Sequence, residues 1–200
     1  MSQTSVRRSG GRVAQRAKKS NRPLIIGAVV GAVVLIAVVW LLLGNRGGPT
    51  IGQQFADQTV GVSQYHLLQA TDPHPPYNSN PPTSGWHTGG NIGPWGVTEQ
   101  PIADEITIHN LEQGGVLIHY RQDLDPATVG QLTALARQLQ QQSPCVLLLP
   151  RPADKLDTPI AVTAWTWLLK QDSFDATQIG NFFRQHVDNG PEKVGCGLRS

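Results

Sequence analysis

Five of the six histidines, His66, His74, His87, His109 and His119, fall between positions 66 and 119, and Glu112 and Gln113 follow closely on His109. Imidazole is the commonest metal ligand and titrates near neutrality. This crowding of nitrogen and oxygen donors points to a histidine-centred site built from His66, His87, His109 and Glu112, with Gln113 nearby. Such donors suit zinc or copper(II). The only methionine is Met1, so a thioether copper(I) site is excluded. No tight ligand pair such as His-Glu-x-x-His is present. The competing reading has these histidines on turns and rims, bonded to backbone carbonyls.

Two other chemistries use the same stretch. Ser84 with His87 or His109 and Asp104 or Glu105 would supply the nucleophile, base and orienting carboxylate of a serine hydrolase, although the sequence lacks Gly-x-Ser-x-Gly. Alternatively, Tyr77, Trp86 and Trp95 on a proline-rich loop would form a non-catalytic scaffold or interaction surface, since aromatic anchors favour interfaces. Trp86, Trp95, Trp165 and Trp167 serve equally well as core filling. Whether the chain is an enzyme stays open at this level.

The elements that must position these residues follow from periodicity. From His66 to Pro101, prolines and glycines recur too often for long helices or central strands. Glu105-Ile106-Thr107-Ile108-His109 alternates as a strand does, Asn110 to Gly115 reads as a turn, and Val116 to Tyr120 as the returning strand. Centring that hairpin between Glu112 and Gln113 puts His119 on the face opposite His109, outside the favoured set. Asp125-Pro126 starts a helix, by side-chain capping and a proline in the first turn. Its apolar face is Val129, Leu132, Leu135, Ala136 and Leu139. Cys145 to Leu149 reads as a short buried strand stopped by Pro150, and Ile160 to Leu169 as a longer one. Asp175 caps a last helix with a stripe of Ile179, Phe182, Phe183, His186 and Val187, His186 being a core-edge residue. The order predicts an α+β fold: an antiparallel sheet in hairpin, helix, two strands, helix order, both helices on one face, with a long Pro/Gly-rich loop.

Charge divides the chain. Residues 1–23 carry Arg7, Arg8, Arg12, Arg16, Lys18, Lys19 and Arg22 and no acid. Those seven out of 16 basic residues leave nine against 14 acids, so the remainder is net negative and a poor partner for nucleic acid. Residues 24–43 are uncharged, and twenty helical residues span ~30 Å, a bilayer core. With the positive charge before this run, the sequence predicts a basic cytoplasmic tail (1–23), a transmembrane signal anchor (24–43), a linker (44–64) and an extracytoplasmic domain (65–200). An envelope protein partner would suit such a location. Cys145 and Cys196 would lie where disulfides persist; bonded, they would close a loop of about fifty residues, worth ~4 kcal/mol in the chain-entropy model.

Several long motifs carry a resemblance. Tyr77-Asn78-Ser79-Asn80-Pro81-Pro82-Thr83-Ser84-Gly85-Trp86-His87, Trp95-Gly96, Asp104-Glu105, His109-Asn110-Leu111-Glu112-Gln113-Gly114-Gly115-Val116 and Ala164-Trp165 resemble a bacterial family known as domain of unknown function 3105, over roughly residues 60–192. The resemblance implies one N-terminal membrane segment followed by this domain, and no particular activity. It also implies that His66, His87, His109 and Glu112 occupy the family's histidine and glutamate positions. The chain departs at Gln113, where the family pattern His-x-Leu-Glu-His-Gly has a second histidine.

Overall fold

The computed structural model describes residues 50–192 and 194–198. Eight strands are present among them: β1 (Gln53–Gln54), β2 (His66–Leu67), β3 (His87–Thr88), β4 (Gly96–Val97), β5 (Val116–Arg121), β6 (Val146–Arg151), β7 (Ile160–Ala164) and β8 (Trp167–Gln171). The helices are α1 (Asp104–Glu112), α2 (Pro126–Gln142) and α3 (Ala176–His186), with a short 3-10 turn at Ala153–Lys155. Six strands form one sheet in the order β1-β8-β7-β5-β6-β4, while β2 and β3 make a separate parallel pair.

The fold is α+β, but the sheet is mixed rather than antiparallel. β5 runs parallel to β6 and antiparallel to β7, and β4 adds to β6 in parallel. Parallel neighbours need a crossover, which α2 supplies. β6 continues through Pro150 because the Arg151 carbonyl accepts Gln122 N–H on the β5 side. Alternation along the strand puts the proline nitrogen on the other edge, beyond the end of β4.

The three central strands, β7, β5 and β6, are buried on both faces, so their sequences are predominantly apolar. On one face Val116, Ile118, Val146, Leu148, Ile160 and Val162 pack against Leu132, Leu135, Ala136 and Leu139 of α2 and Ile179, Phe182 and Phe183 of α3. Both helices start where a side chain caps them: Asp125 accepts from Thr128 N–H and Asp175 from Gln178 N–H, each at 2.9 Å. On the other face Leu117, Leu147 and Leu149 meet Ile108 and Leu111 of α1, with Trp165, Trp95 and Tyr77 around them.

Residues 105–109 are therefore helical, and the expected hairpin does not form. The alternation of Ile106 and Ile108 mimics a strand because α1 is wrapped on most sides from Thr107 onward, so no clean amphipathic stripe marks it. Asp104 and Glu105 in its first turn favour the positive helix end. Asn110 anchors it to the loop, accepting from Gly93 N–H at 2.7 Å and donating to the Gly93 carbonyl at 2.9 Å. The two expected helices, α2 and α3, share one face of the sheet, and α1, a third helix, lies on the opposite face.

Two further differences follow from local geometry. Residues 160–169 fold as a hairpin, not one strand: Ala164 pairs with Trp167 around Trp165-Thr166, with Thr166 at φ 64°. Gln53 and Gln54, within the expected linker, join the sheet. β1 pairs with β8, and Phe55 packs on Leu156, Ala161 and Leu168.

The expected membrane-anchored location is corrected. Among the described residues no helix is long and apolar enough to cross a membrane. The longest, α2, has 17 residues and exposes Gln131, Arg137, Gln138 and Gln141. Residues 24–43, on which the expectation of a single-pass anchor rested, lie outside the described residues.

Candidate metal centre

Because α1 is a helix, His109 and Glu112 stand three residues apart on one helical face, with Gln113 one turn from His109. Glu112 is the last residue of α1. A carboxylate is disfavoured there by the negative end of the helix dipole, and its side chain is only 4% exposed. A buried carboxylate needs compensating partners, and the partners here are histidines.

His87 comes from β3 and is fully buried. The residue two before it, Gly85, has φ 117°, and a Cβ there would lie 3.2 Å from the Tyr77 ring. The Gly85 carbonyl accepts the His87 Nδ1–H at 2.8 Å. That bond fixes the ring and aims Nε2 at Glu112 Oε2, 2.8 Å away. With Nδ1 committed as donor, Nε2 faces the carboxylate in one of two ways. It is either the second N–H of an imidazolium, or a lone pair that becomes favourable only with a cation between the two groups.

His66 reaches the same oxygen from β2, its Nε2 3.9 Å from Glu112 Oε2. The parallel pairing of β2 and β3 puts His66 directly beside His87, ring centroids 4.9 Å apart. Its side chain is 51% exposed, so the cluster opens to solvent on this side. A groove of about 620 Å³ lined by Tyr65, His66, Leu67, Leu68, Gly89 and Gly90 forms that opening.

His109 approaches from the far side. Its Nδ1–H donates to the Asn91 carbonyl at 3.2 Å, and its Nε2 lies 3.4 Å from the Gln113 amide nitrogen and 3.9 Å from Glu192 Oε2. Two groups of donor atoms, each within 4.8 Å of one another, result: His66, His87 and Glu112, and His109, Glu112 and Glu192. Burial alone raises the Glu112 carboxyl, but the hydrogen bond and charge of His87, with the charges of His66 and His109, outweigh it and hold Glu112 below its ordinary value. Burial, followed by the charge and hydrogen bonding of Glu112, raises the Tyr65 phenol, which stays protonated.

The three histidines singled out from the sequence thus lie around the Glu112 carboxylate, itself the fourth candidate, and Gln113 touches His109. Glu192 and Tyr65 were not singled out. Tyr65 adjoins His66 in sequence, but nothing local marks Glu192. It arrives on a C-terminal strap bound by the Cys145–Cys196 disulfide and by Glu192 N–H donating to the Glu112 carbonyl at 3.0 Å. The strap fits because Gly190 has no side chain: a Cβ there would lie 2.2 Å from the Glu112 carbonyl oxygen and 2.3 Å from Gly114 N.

The remaining candidates lie elsewhere. Ser84 is fully buried, accepts from Gln58 N–H at 3.1 Å and donates to the Ala56 carbonyl at 3.5 Å. Asp104 pairs with Arg151, and Glu105 with His74 at 3.2 Å. No serine triad is assembled from them. His119 is buried in β5, its Nε2 2.9 Å from Thr163 Oγ1, and stands outside the cluster. His186 donates from Nε2 to the Ile51 carbonyl at 2.9 Å and stacks on Trp167. Trp165 is core, with its indole N–H on Asp57 Oδ2 at 3.0 Å.

No curated protein and no solved structure matches this chain. A family described as "Protein of unknown function (DUF3105)" matches residues 70–197, a stretch that takes in His87, His109, Glu112 and Glu192 and begins just after His66. The chain belongs to the DUF3105 family.

Proposed function

We propose that this protein binds a divalent transition-metal ion through His66 Nε2, His87 Nε2 and the Glu112 carboxylate. The observation that carries the reading is the pairing of a buried imidazole, its Nδ1–H spent on the Gly85 carbonyl, with a buried carboxylate 2.8 Å from its Nε2. A backbone acceptor behind a ligand histidine is the usual way to fix its tautomer and orientation. Tetrahedral zinc with bonds of about 2.0–2.1 Å sets neighbouring donors roughly 3.4 Å apart. That value lies between the 2.8 Å of the His87–Glu112 pair and the 3.9 Å of the His66–Glu112 pair. Small side-chain shifts therefore suffice.

Two nitrogens and one carboxylate oxygen fit zinc, or copper(II). The exposed edge at His66 leaves a coordination position facing the groove, as a site that receives an exogenous ligand requires. The test is elemental analysis of the untagged full chain after separate zinc and copper(II) loading and gel filtration. Bound metal near or above one equivalent is expected, and His87→Ala should lower it by one equivalent. The absence of metal above background in the unaltered chain under both loadings refutes the reading.

A further inference from the structure

The second donor group, His109, Glu112 and Glu192, is not needed for the ion just described. We propose, resting on that reading, that it holds a second divalent cation, and that Glu112 bridges the two ions.

The geometry has three parts. The five donors do not form one set within 4.8 Å; they form two sets with Glu112 in both. Glu112 turns Oε2 toward both His66 and His87, which leaves Oε1 of the same carboxylate as the donor for the other set. A bridging carboxylate suits paired ions about 3.5–4 Å apart, the spacing of two-metal sites. Finally, His109 is prepared in the same way as His87, with its Nδ1–H on a backbone carbonyl, here Asn91 at 3.2 Å, and its Nε2 facing a carboxylate.

Gln113 decides how readily this position fills. Its amide nitrogen, 3.4 Å from His109 Nε2, donates into the lone pair a metal would use. A half-turn of the amide exchanges nitrogen for oxygen at nearly the same place. It removes the competing donor and offers Oε1 as a further ligand. Two dications over three neutral imidazoles and two carboxylates leave a surplus of positive charge. The open side at His66 would admit a water molecule, and ions held by these residues would supply the positive charge that makes such a water more acidic.

The test is metal stoichiometry of the chelator-stripped full chain titrated with cobalt(II), read by elemental analysis and by the electron paramagnetic signal. Two equivalents are expected, with the signal weakened at full loading by coupling through Glu112. Glu192→Gln, whose side chain is 46% exposed and expendable to the core, should keep one equivalent and show the uncoupled signal. His109→Ala should do the same, its folded state checked by circular dichroism. Saturation at one equivalent in the unaltered chain, or two equivalents in Glu192→Gln, overturns the proposal while leaving the first site intact. Zero equivalents overturns the first site and this one with it.

Discussion

Replacing Gly190 with alanine probes how the C-terminal strap holds Glu192. Gly190 is buried, and its φ is ordinary, so the constraint is steric alone. An added methyl group would sit 2.2, 2.3 and 2.7 Å from Glu112 O, Gly114 N and Leu111 O. All three are backbone atoms at the end of α1 and have no rotamer to escape into. The strap must retreat by roughly 0.8 Å or more to restore a tolerable 3.0 Å contact. Overpacking of this kind costs about 1–3 kcal/mol, and loss of the 3.0 Å bond from Glu192 N–H to the Glu112 carbonyl adds about 1 kcal/mol. At about 2–4 °C per kcal/mol for a domain of this size, Tm should fall by about 5–15 °C in a metal-free thermal melt. Gly130→Ala is the matched control. Gly130 is exposed within α2, and a Cβ there meets nothing within 4 Å. It should stabilise by about 0.5–1 kcal/mol through helix propensity. If Gly190→Ala melts within 1 °C of the unaltered protein, the close approach of strap and helix end is refuted.

Two other outcomes follow from the same packing. Reducing the Cys145–Cys196 disulfide, or replacing both cysteines with serine, opens a loop of sequence separation 51. It should cost about 4 kcal/mol in the chain-entropy model, read as a lower Tm in reductant, and an unchanged Tm contradicts it. The pH dependence of stability should carry the mark of His119. Complete burial, then the charge of Arg151, depresses its pKa well below 6.5, and its Nδ1 has no partner. Between the folded and unfolded pKa values the unfolded chain binds more protons. The contribution is therefore fully present above about pH 6.5 and is lost as pH falls toward the folded pKa, at up to about 1.4 kcal/mol per pH unit. Denaturant midpoints from pH 7.5 to 5 should fall in the unaltered protein and more shallowly in His119→Gln. Equal slopes refute the assignment.

Sequence patterns located α2, α3 and the apolar strands, because each obeys a local rule. Asp125 and Asp175 cap, Leu132, Leu135, Ala136 and Leu139 form a stripe, and Val146 to Leu149 run unbroken. The misread elements are those whose environment overrides periodicity. α1 is wrapped on several sides, so Ile106 and Ile108 counterfeit a strand. The β7–β8 turn uses Trp165-Thr166 rather than glycine or asparagine, so nothing in the sequence announces it. Parallel pairing of β5 with β6 is a choice of partner that no window of residues encodes.

The candidate centre divides the same way. His87, His109 and Glu112 stood out by residue type and by the motifs around them. The pairing of His66 with His87 depends on a two-residue ladder, and Glu192 depends on a strap fastened by Cys196 and Gly190. Both are tertiary facts. The pattern in the sequence also suggested that His109 and Glu112 share a turn. They share the end of a helix, where the dipole sharpens the demand for a cation beside the Glu112 carboxylate.

The most direct measurement of the central claim is zinc binding by the full, untagged chain against a competing chelator, compared with His87→Ala. Retained zinc is expected in the unaltered protein, with one equivalent fewer when the Gly85–His87–Glu112 relay is cut. An unaltered chain that retains no zinc or copper(II), or a His87→Ala variant that retains as much as its parent, would contradict it.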